Sequence, residues 1–183
     1  MRKLTLKQLG VSLSISLILI VCFTTGSYAL QSAGNKEIQL SGGFFHAQDT
    51  DVGTVTLDAS YGYYLTNVWQ IGIGQTLNYN IIDNESDTWT ASTVPFVNYH
   101  FRGLSTNDVF QPFLGVFAGA VYNDEDATGT AGPTVGLKAF LNEKTFLVTK
   151  YRYEWFFNEI ELGNVTDTSN GNHVVTLGLG FIW

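Results

Sequence analysis

The chain has 183 residues, of which 14% are charged and 14% are aromatic, and its formal net charge is −7. This length corresponds to one domain, and the low charged fraction together with 13 Phe, 9 Tyr and 4 Trp argues against a disordered chain. The acidic balance and the low charged fraction exclude a typical nucleic-acid-binding protein.

The N-terminal segment has the pattern of a secretory signal peptide. Three basic residues among the first seven precede an apolar run over residues 11–23, which is short for a bilayer crossing. Ser27 and Ala29 supply small side chains at the −3 and −1 positions of a cleavage site. We therefore predict a signal peptide over residues 1–29 and a single domain over residues 30–183.

Removal of this peptide makes the chain more acidic and removes its one cysteine. The remaining chain has 6 basic and 16 acidic residues, a net charge of −10, and no cysteine. The remaining chain therefore cannot form a disulfide, even in an oxidising compartment, and has no thiol for catalysis. No later segment contains the roughly 20 consecutive apolar residues of a membrane helix.

Apolar and polar side chains alternate with period two in eight stretches, which is typical of β-strands. We predict strands at 36–47, 53–65, 68–81, 88–102, 109–122, 130–141, 145–158 and 172–183. Long or acidic breaks at 48–52, 82–87, 123–129 and 159–171 alternate with shorter ones at 66–67, 103–108 and 142–144. This alternation predicts up-and-down antiparallel connectivity with two unlike ends.

The orientation of the apolar face decides the class of barrel. In the seventh stretch Lys150, Arg152 and Glu154 share one face, while the opposite face is aromatic and apolar. A soluble barrel would have to crowd those rings into a narrow interior, whereas a membrane barrel turns them toward lipid. Gln75 and His46 are exceptions on the apolar rows. We predict an all-β fold, an eight-stranded antiparallel up-and-down transmembrane β-barrel.

The polar rows predict a luminal network rather than an open pore. Its members are Asp58, His100, Arg102, Lys138, Lys150, Arg152 and Glu154. Because a buried cation needs a partner, we expect the four Lys and Arg side chains to pair with Asp58, Glu37, Glu154 or trapped water. Inward-facing phenylalanines and nine inward glycines complete a plugged lumen.

Aromatic residues mark both predicted membrane interfaces. Tyr63, Trp69, Tyr99, Phe101 and Trp183 lie beside the short turns, and Tyr79, Trp89, Tyr122, Trp155 and Phe157 lie beside the long loops. The long-loop end also carries 11 of the 16 carboxylates. We therefore expect this end to face the cell exterior.

Three runs carry a family resemblance: GLKAFLNEKTFLVTKYRYEWFF (136–157), QPFLGVFAGAVY (111–122) and GLGFIW (178–183). They resemble the small outer-membrane β-barrel superfamily that includes OmpX and the membrane domain of OmpA. The resemblance implies a location in a Gram-negative outer membrane, in contact with its lipid and lipopolysaccharide. It also implies that Trp183 serves as the recognition signal for the barrel-assembly machinery.

The sequence points to a structural or surface-interaction role, with a possible extracellular partner bound by the loops. It predicts no catalytic residues, no cofactor and no nucleic-acid partner. The alternatives are a small-solute channel and a lipid A-modifying enzyme similar to PagL. None of His46, His100 and His173 is followed two residues later by the serine of that enzyme's pattern.

Clustered loop carboxylates at 83–87 and 124–126 offer oxygen atoms but lack the spacing of a calcium-binding loop. We predict no dedicated metal site there. Weak divalent bridging to lipopolysaccharide by these loops stays open.

Overall fold

A computed structural model describes residues 31–46, 52–82, 88–104, 108–124, 127–157 and 171–183. The predicted signal peptide and most of each long loop lie outside the described residues. No helix in the described part of the chain is long and apolar enough to cross a membrane.

The described chain forms eight strands. These are β1 (Lys36–His46), β2 (Val52–Tyr64), β3 (Trp69–Ile82), β4 (Thr88–His100), β5 (Phe110–Tyr122), β6 (Ala127–Phe140), β7 (Thr145–Phe156) and β8 (Asn172–Ile182). Each pairs antiparallel with the next, and β8 pairs with β1 to close the barrel. The predicted eight-stranded up-and-down barrel is confirmed.

Most strand bounds lie within one residue of the prediction, and the larger differences are in β4, β6 and β7, where β7 ends at Phe156 rather than at residue 158. β6 begins three residues earlier than expected, because Ala127 and Gly129 pair with Tyr122 and Ala120 of β5. β4 ends at His100 rather than at residue 102. Small residues and glycine at the start of β6 conceal the alternation that identifies the other strands.

The two faces of the wall are inverted relative to a soluble barrel. Leu57, Val175 and Leu177 point outward and are 58%, 64% and 62% exposed. Inward-facing Asp58 and Lys138 are 3% and 0% exposed. A strand sends successive side chains to opposite faces, so this division runs along each strand.

Side-chain caps close the two tightest turns. Thr66 Oγ1 accepts hydrogen bonds from the backbone amides of Val68 and Trp69 at 3.2 and 2.9 Å. Asn142 Oδ1 accepts from those of Lys144 and Thr145, both at 2.9 Å. Such local bonds favour a turn over continued strand.

Two prolines interrupt the hydrogen-bond ladder inside the wall. Between β4 and β5 the pairing runs to Thr93 and resumes at Phe96, on either side of Pro95. Between β6 and β7 it runs to Ala131 and resumes at Thr134, beside Pro133. Proline has no N–H to donate, so the ladder lapses there without a change of register.

Aromatic rings fill the barrel interior at the short-turn end. The buried cluster consists of Tyr64, Phe113, Phe140, Phe146, Val148 and Ile182. Glycines on facing strands make room for the rings. A Cβ added at Gly136 would overlap the Phe113 ring, and one at Gly180 would overlap the Phe146 ring.

Candidate functional site in the barrel interior

Lys138 and Glu37 form a buried ion pair in the barrel interior, nearer the short-turn end. The polar side chains around it are called the lower network, which consists of Glu37, Gln39, Tyr64, Gln70, Asn98, His100 and Lys138. Lys138 Nζ donates to Glu37 Oε1 and Oε2 at 2.7 and 2.6 Å and to the Tyr64 hydroxyl at 2.9 Å. The ammonium also lies 4.8 Å from the centroid of the Phe146 ring. Three donations and an aromatic face replace the water that this cation would otherwise bind.

The Glu37 carboxylate has a full set of donors. Tyr64 donates to Oε2 at 2.9 Å, and Gln39 and Gln70 donate to Oε1 at 2.6 and 2.8 Å. His100 Nε2 lies 3.1 Å from Gln70 Oε1, which favours the tautomer with hydrogen on Nε2. The lower network is therefore continuous from β1 to β4.

A second group of ionic side chains, the upper network, lies nearer the long loops. It consists of Asp58, Thr76, Lys150, Arg152 and Glu154. Lys150 Nζ donates to Asp58 Oδ1 at 2.5 Å, and Thr76 donates to Oδ2 at 3.0 Å. Arg152 contacts Asp58 at 3.6 Å and Glu154 at 3.1 Å. Two cations thus face two carboxylates, so the charges in this group balance.

The space between the networks is small. A cavity of about 30 Å³ is lined by residues of both, including Gln39, Asp58 and Lys150. This volume holds one or two water molecules. Phe117 narrows the same region, and the Arg152 guanidinium lies 5.5 Å from its ring centroid.

The structure brings Asp58, Lys150, Arg152 and Glu154 together, and it places His100 and Lys138 in the lower network. Arg102 belongs to neither. It lies beyond the end of β4, with Nε 3.2 Å from Asp108 Oδ2 and Nη1 donating to the Gln31 carbonyl. The predicted pairing of Arg102 with a luminal carboxylate is wrong. Arg102 lies outside β4 and pairs with Asp108 of the connection between β4 and β5.

Sequence reasoning missed Tyr64 and the luminal glutamines Gln39 and Gln70. Tyr64 has the same strand parity as Asp58, so it belongs to the inward row despite its ring. Gln70 has the same parity as inward Gly72. This positional parity is the signal that identifies them, because a neutral side chain has no charge to indicate a luminal position.

The three histidines lie in different settings. His100 is buried in the lumen, and its Nδ1 has no hydrogen-bond partner among the described residues. His173 is on the outer wall, with Nδ1 2.7 Å from the Tyr151 hydroxyl. The side chain of His46 lies outside the described residues. Within the described part of the chain, no group of three or more His, Cys, Asp and Glu side chains could hold a metal ion.

The closed eight-stranded barrel is similar to solved structures of outer-membrane proteins. OprG from Pseudomonas aeruginosa matches 86% of this chain and 99% of its own, with a TM-score of 0.59 and 13% identity. The N-terminal β-barrel domain of OprF from the same organism matches 84% and 100%, with a TM-score of 0.53 and 18% identity. Ail, the attachment invasion locus protein of Yersinia pestis, matches 82% and 99%, with a TM-score of 0.51 and 11% identity. One crystal structure of Ail contains the heparin analogue sucrose octasulfate. No protein family and no curated protein matches the sequence.

The chain has the fold of the small outer-membrane β-barrels. In a barrel of this fold, the exposed row faces lipid and its two ends meet the membrane interfaces. At the short-turn end Tyr63, Trp69 and Trp183 are exposed, and Trp69 packs edge-on against Tyr99 with ring centroids 5.0 Å apart. At the long-loop end Tyr79 and Trp155 are exposed. Trp89 is the cross-strand partner of Tyr79, and Tyr122 is the last residue of β5. Their role as membrane belts stays a prediction.

Trp183, the residue after β8, is hydrogen-bonded into the sheet. The backbone N–H of Trp183 donates to the Lys36 carbonyl at 3.0 Å, and that of Lys36 donates to the Trp183 carbonyl at 2.9 Å. The indole lies on the outer wall 6.4 Å from the Tyr61 ring. Trp183 is thus exposed beside the β1–β8 seam, and its use as an assembly signal stays a prediction.

Proposed function

We propose that this chain is an integral outer-membrane protein with a closed polar lumen and a structural or surface-interaction role, without catalysis. The observation that carries the proposal is the cross-linking of the lumen by two ionic networks. Lys138 on β6 reaches Glu37 on β1, and Lys150 on β7 reaches Asp58 on β2. Each pair spans the interior, so an ion would have to displace bonded charges to pass.

Planar-bilayer recording tests the closed lumen. The purified wild-type barrel should give no steady conductance, because the cavity between the networks has room only for one or two waters. The double variant E37A/K138A removes the lower pair and should conduct more than the wild type. The matched variant E143A/K144A changes a short turn and should behave as wild type. A wild-type barrel with a wide, steady channel would remove the proposal in favour of a small-solute channel.

The predicted signal peptide and the barrel fold support an outer-membrane location. The full-length protein should be exported, lose residues 1–29 and fractionate with the outer membrane. Its folded form should migrate differently on a gel before and after boiling. An unprocessed protein that remains in the cytoplasm would contradict this location.

The acidic loops support an extracellular partner. The ranges 47–51, 83–87, 123–126 and 158–170 contain no Lys or Arg. We propose that the loops engage a basic partner directly and an anionic one only through bridging divalent cations. Without such cations they should not bind a polyanion like the sucrose octasulfate in the Ail complex. Binding to host cells or matrix should disappear when the loops are shortened while heat-modifiability persists.

The absence of catalysis is tested on lipid A. A PagL-type enzyme needs a lipid-facing histidine that activates a serine, and outward His173 contacts a tyrosine hydroxyl. Lipid A from a strain carrying the protein should have an unchanged mass spectrum. A lost acyl chain that returns in the H173A variant would establish an enzyme instead.

A further inference from the structure

Three polar side chains meet on the outer wall, where the surrounding side chains are apolar. The outward trio consists of Gln75 on β3, Thr93 on β4 and Tyr122 on β5. Gln75 Nε2 donates to the Tyr122 hydroxyl at 3.0 Å, and Thr93 Oγ1 donates to Gln75 Oε1 at 2.6 Å. The Thr93 and Tyr122 hydroxyl oxygens are 3.2 Å apart.

These contacts form a closed ring of hydrogen bonds. With Tyr122 donating to Thr93, each side chain gives one hydrogen and receives one, which offsets the cost of placing polar groups against hydrocarbon. One hydrogen of the Gln75 amide remains, with no acceptor among the described residues. The outward trio therefore presents a fixed donor to whatever lies against the wall.

An apolar groove begins directly below the outward trio, on the short-turn side. It has a volume of about 620 Å³. Ile73 and Pro95, one outward position below Gln75 and Thr93, line it together with Val116 and Ala118. Such a volume lies within the range of about 300–1,000 Å³ that small-molecule sites occupy. Small Ala118 leaves the groove open between the larger side chains.

The depth of the outward trio indicates what could meet it. Tyr79, at the long-loop end, is four positions along β3 from Gln75, which is about 13 Å of strand. Tyr122 belongs to the predicted long-loop belt, and its hydroxyl reaches Gln75 from that side, so the free Gln75 N–H lies on the hydrocarbon side of the belt. A lipid phosphate or glycerol ester near the interface would lie above this level. An oxygen partway along an acyl chain would lie beside it.

We propose that the outward trio and the groove together bind one outer-leaflet lipid whose acyl chain carries a hydroxyl partway along its length. The hydroxyl oxygen accepts the free Gln75 N–H, and the chain beyond it fills the groove. An outer-leaflet chain enters from the long-loop end and therefore meets the outward trio before the groove, in the order that the wall presents them. This inference rests on the proposed membrane location.

Native mass spectrometry of the detergent-purified, full-length exported barrel tests the site. Two probes are compared, a lysophosphatidylcholine with a stearoyl chain and the same lipid with a hydroxyl at the midpoint of that chain. Wild-type barrel should retain the hydroxylated probe about threefold to tenfold better, the range for one net hydrogen bond. Heat-modifiability of each sample shows independently that the barrel is folded.

Three variants separate the contributions. Q75L should retain both probes equally, because the donor is gone while the groove remains. A118W should lose both, because the indole fills the groove. V135W places the same bulk on β6, outside the groove, and should match wild type.

Equal retention of both probes by a folded wild-type barrel, with no effect of Q75L, would overturn the proposal. So would a dimer that A118W dissociates, because a second copy would then cover the groove. Either result would leave the proposed membrane location standing, since that is tested by fractionation and processing.

Discussion

Glu37 and Lys138 are among the most enclosed groups in the barrel, with 1% and 0% of their side chains exposed. A charge so far from water is tolerable only when its partner and further hydrogen bonds replace hydration. The Tyr64 hydroxyl supplies such a bond to both members, since it accepts from Lys138 and donates to Glu37. The three side chains therefore act as a unit.

Removal of one charge of this pair should be costly. The E37Q variant keeps the size of the side chain but leaves Lys138 without a counter-ion, and it should lower the free energy of unfolding by about 3–5 kcal/mol. Urea unfolding in lipid vesicles, followed by tryptophan fluorescence, measures this. E143Q, at an exposed position in a short turn, should change it by less than about 0.5 kcal/mol. Equal effects of the two variants would contradict the role of the pair.

At the residue scale, charge and strand parity together are the most informative features of the luminal side chains. Asp58 and Lys150 are charged residues on polar rows, and they meet in the lumen. Parity alone is a weaker indicator, because the aromatic ring of Tyr64 is also typical of a lipid-facing row. Arg102 satisfied the charge criterion, yet β4 ends two residues before it.

At the scale of strands, the inward glycines are not equivalent. A Cβ at Gly136 would overlap the Phe113 ring and lie 2.8 Å from the Thr149 carbonyl oxygen. The first contact of a Cβ at Gly74 is at 3.5 Å, with Val94 Cγ2. The β5–β6 wall thus needs glycine at one position, while β3 tolerates a methyl group at the other.

G136A should destabilise the barrel by about 1–3 kcal/mol, the usual cost of overpacking. G74A should be neutral or slightly stabilising, because alanine restricts the unfolded chain more than glycine does. Urea midpoints of the two variants in the same vesicles give the comparison. A G74A barrel less stable than G136A would show that the packing argument is wrong.

At the scale of the whole molecule, the defining property is the reversed arrangement of apolar and ionic groups. Residues 30–183 contain no cysteine, so single labels can be introduced there without a background thiol once the predicted signal peptide is removed. Nitroxides at Leu57 and Leu177 should collide with oxygen dissolved in the bilayer. A nitroxide at Glu143 should collide with a water-soluble nickel chelate. Water exposure at 57 and 177 would contradict membrane insertion.

The surface charge is polarised as strongly as the wall. With 11 of 16 carboxylates in the long loops, the protein should not be retained on immobilised heparin at about 0.15 M ionic strength. The variant D83K/E85K/D87K reverses one loop and should gain retention. Retention of the wild type would show that loop charge does not govern the choice of partner.

The pattern of residues along the chain was sufficient to predict the strand number, the connectivity and the outward-facing apolar row. These follow from alternation within a strand and from the lengths of neighbouring connections, which are local properties of the chain. Segments of small residues such as 127–129 are not identified as strands in this way, because the side chains on their two faces differ little in polarity.

Which side chains meet depends on the closed barrel as a whole. Lys138 and Glu37 are 101 residues apart, and their contact depends on closure of the barrel and on the stagger of its strands. Gln75 was visible as an exception on an apolar row, but its bonds to Thr93 and Tyr122 require three neighbouring strands in register. Alternation reports the face on which a side chain lies, whereas its partners depend on the position of every other strand.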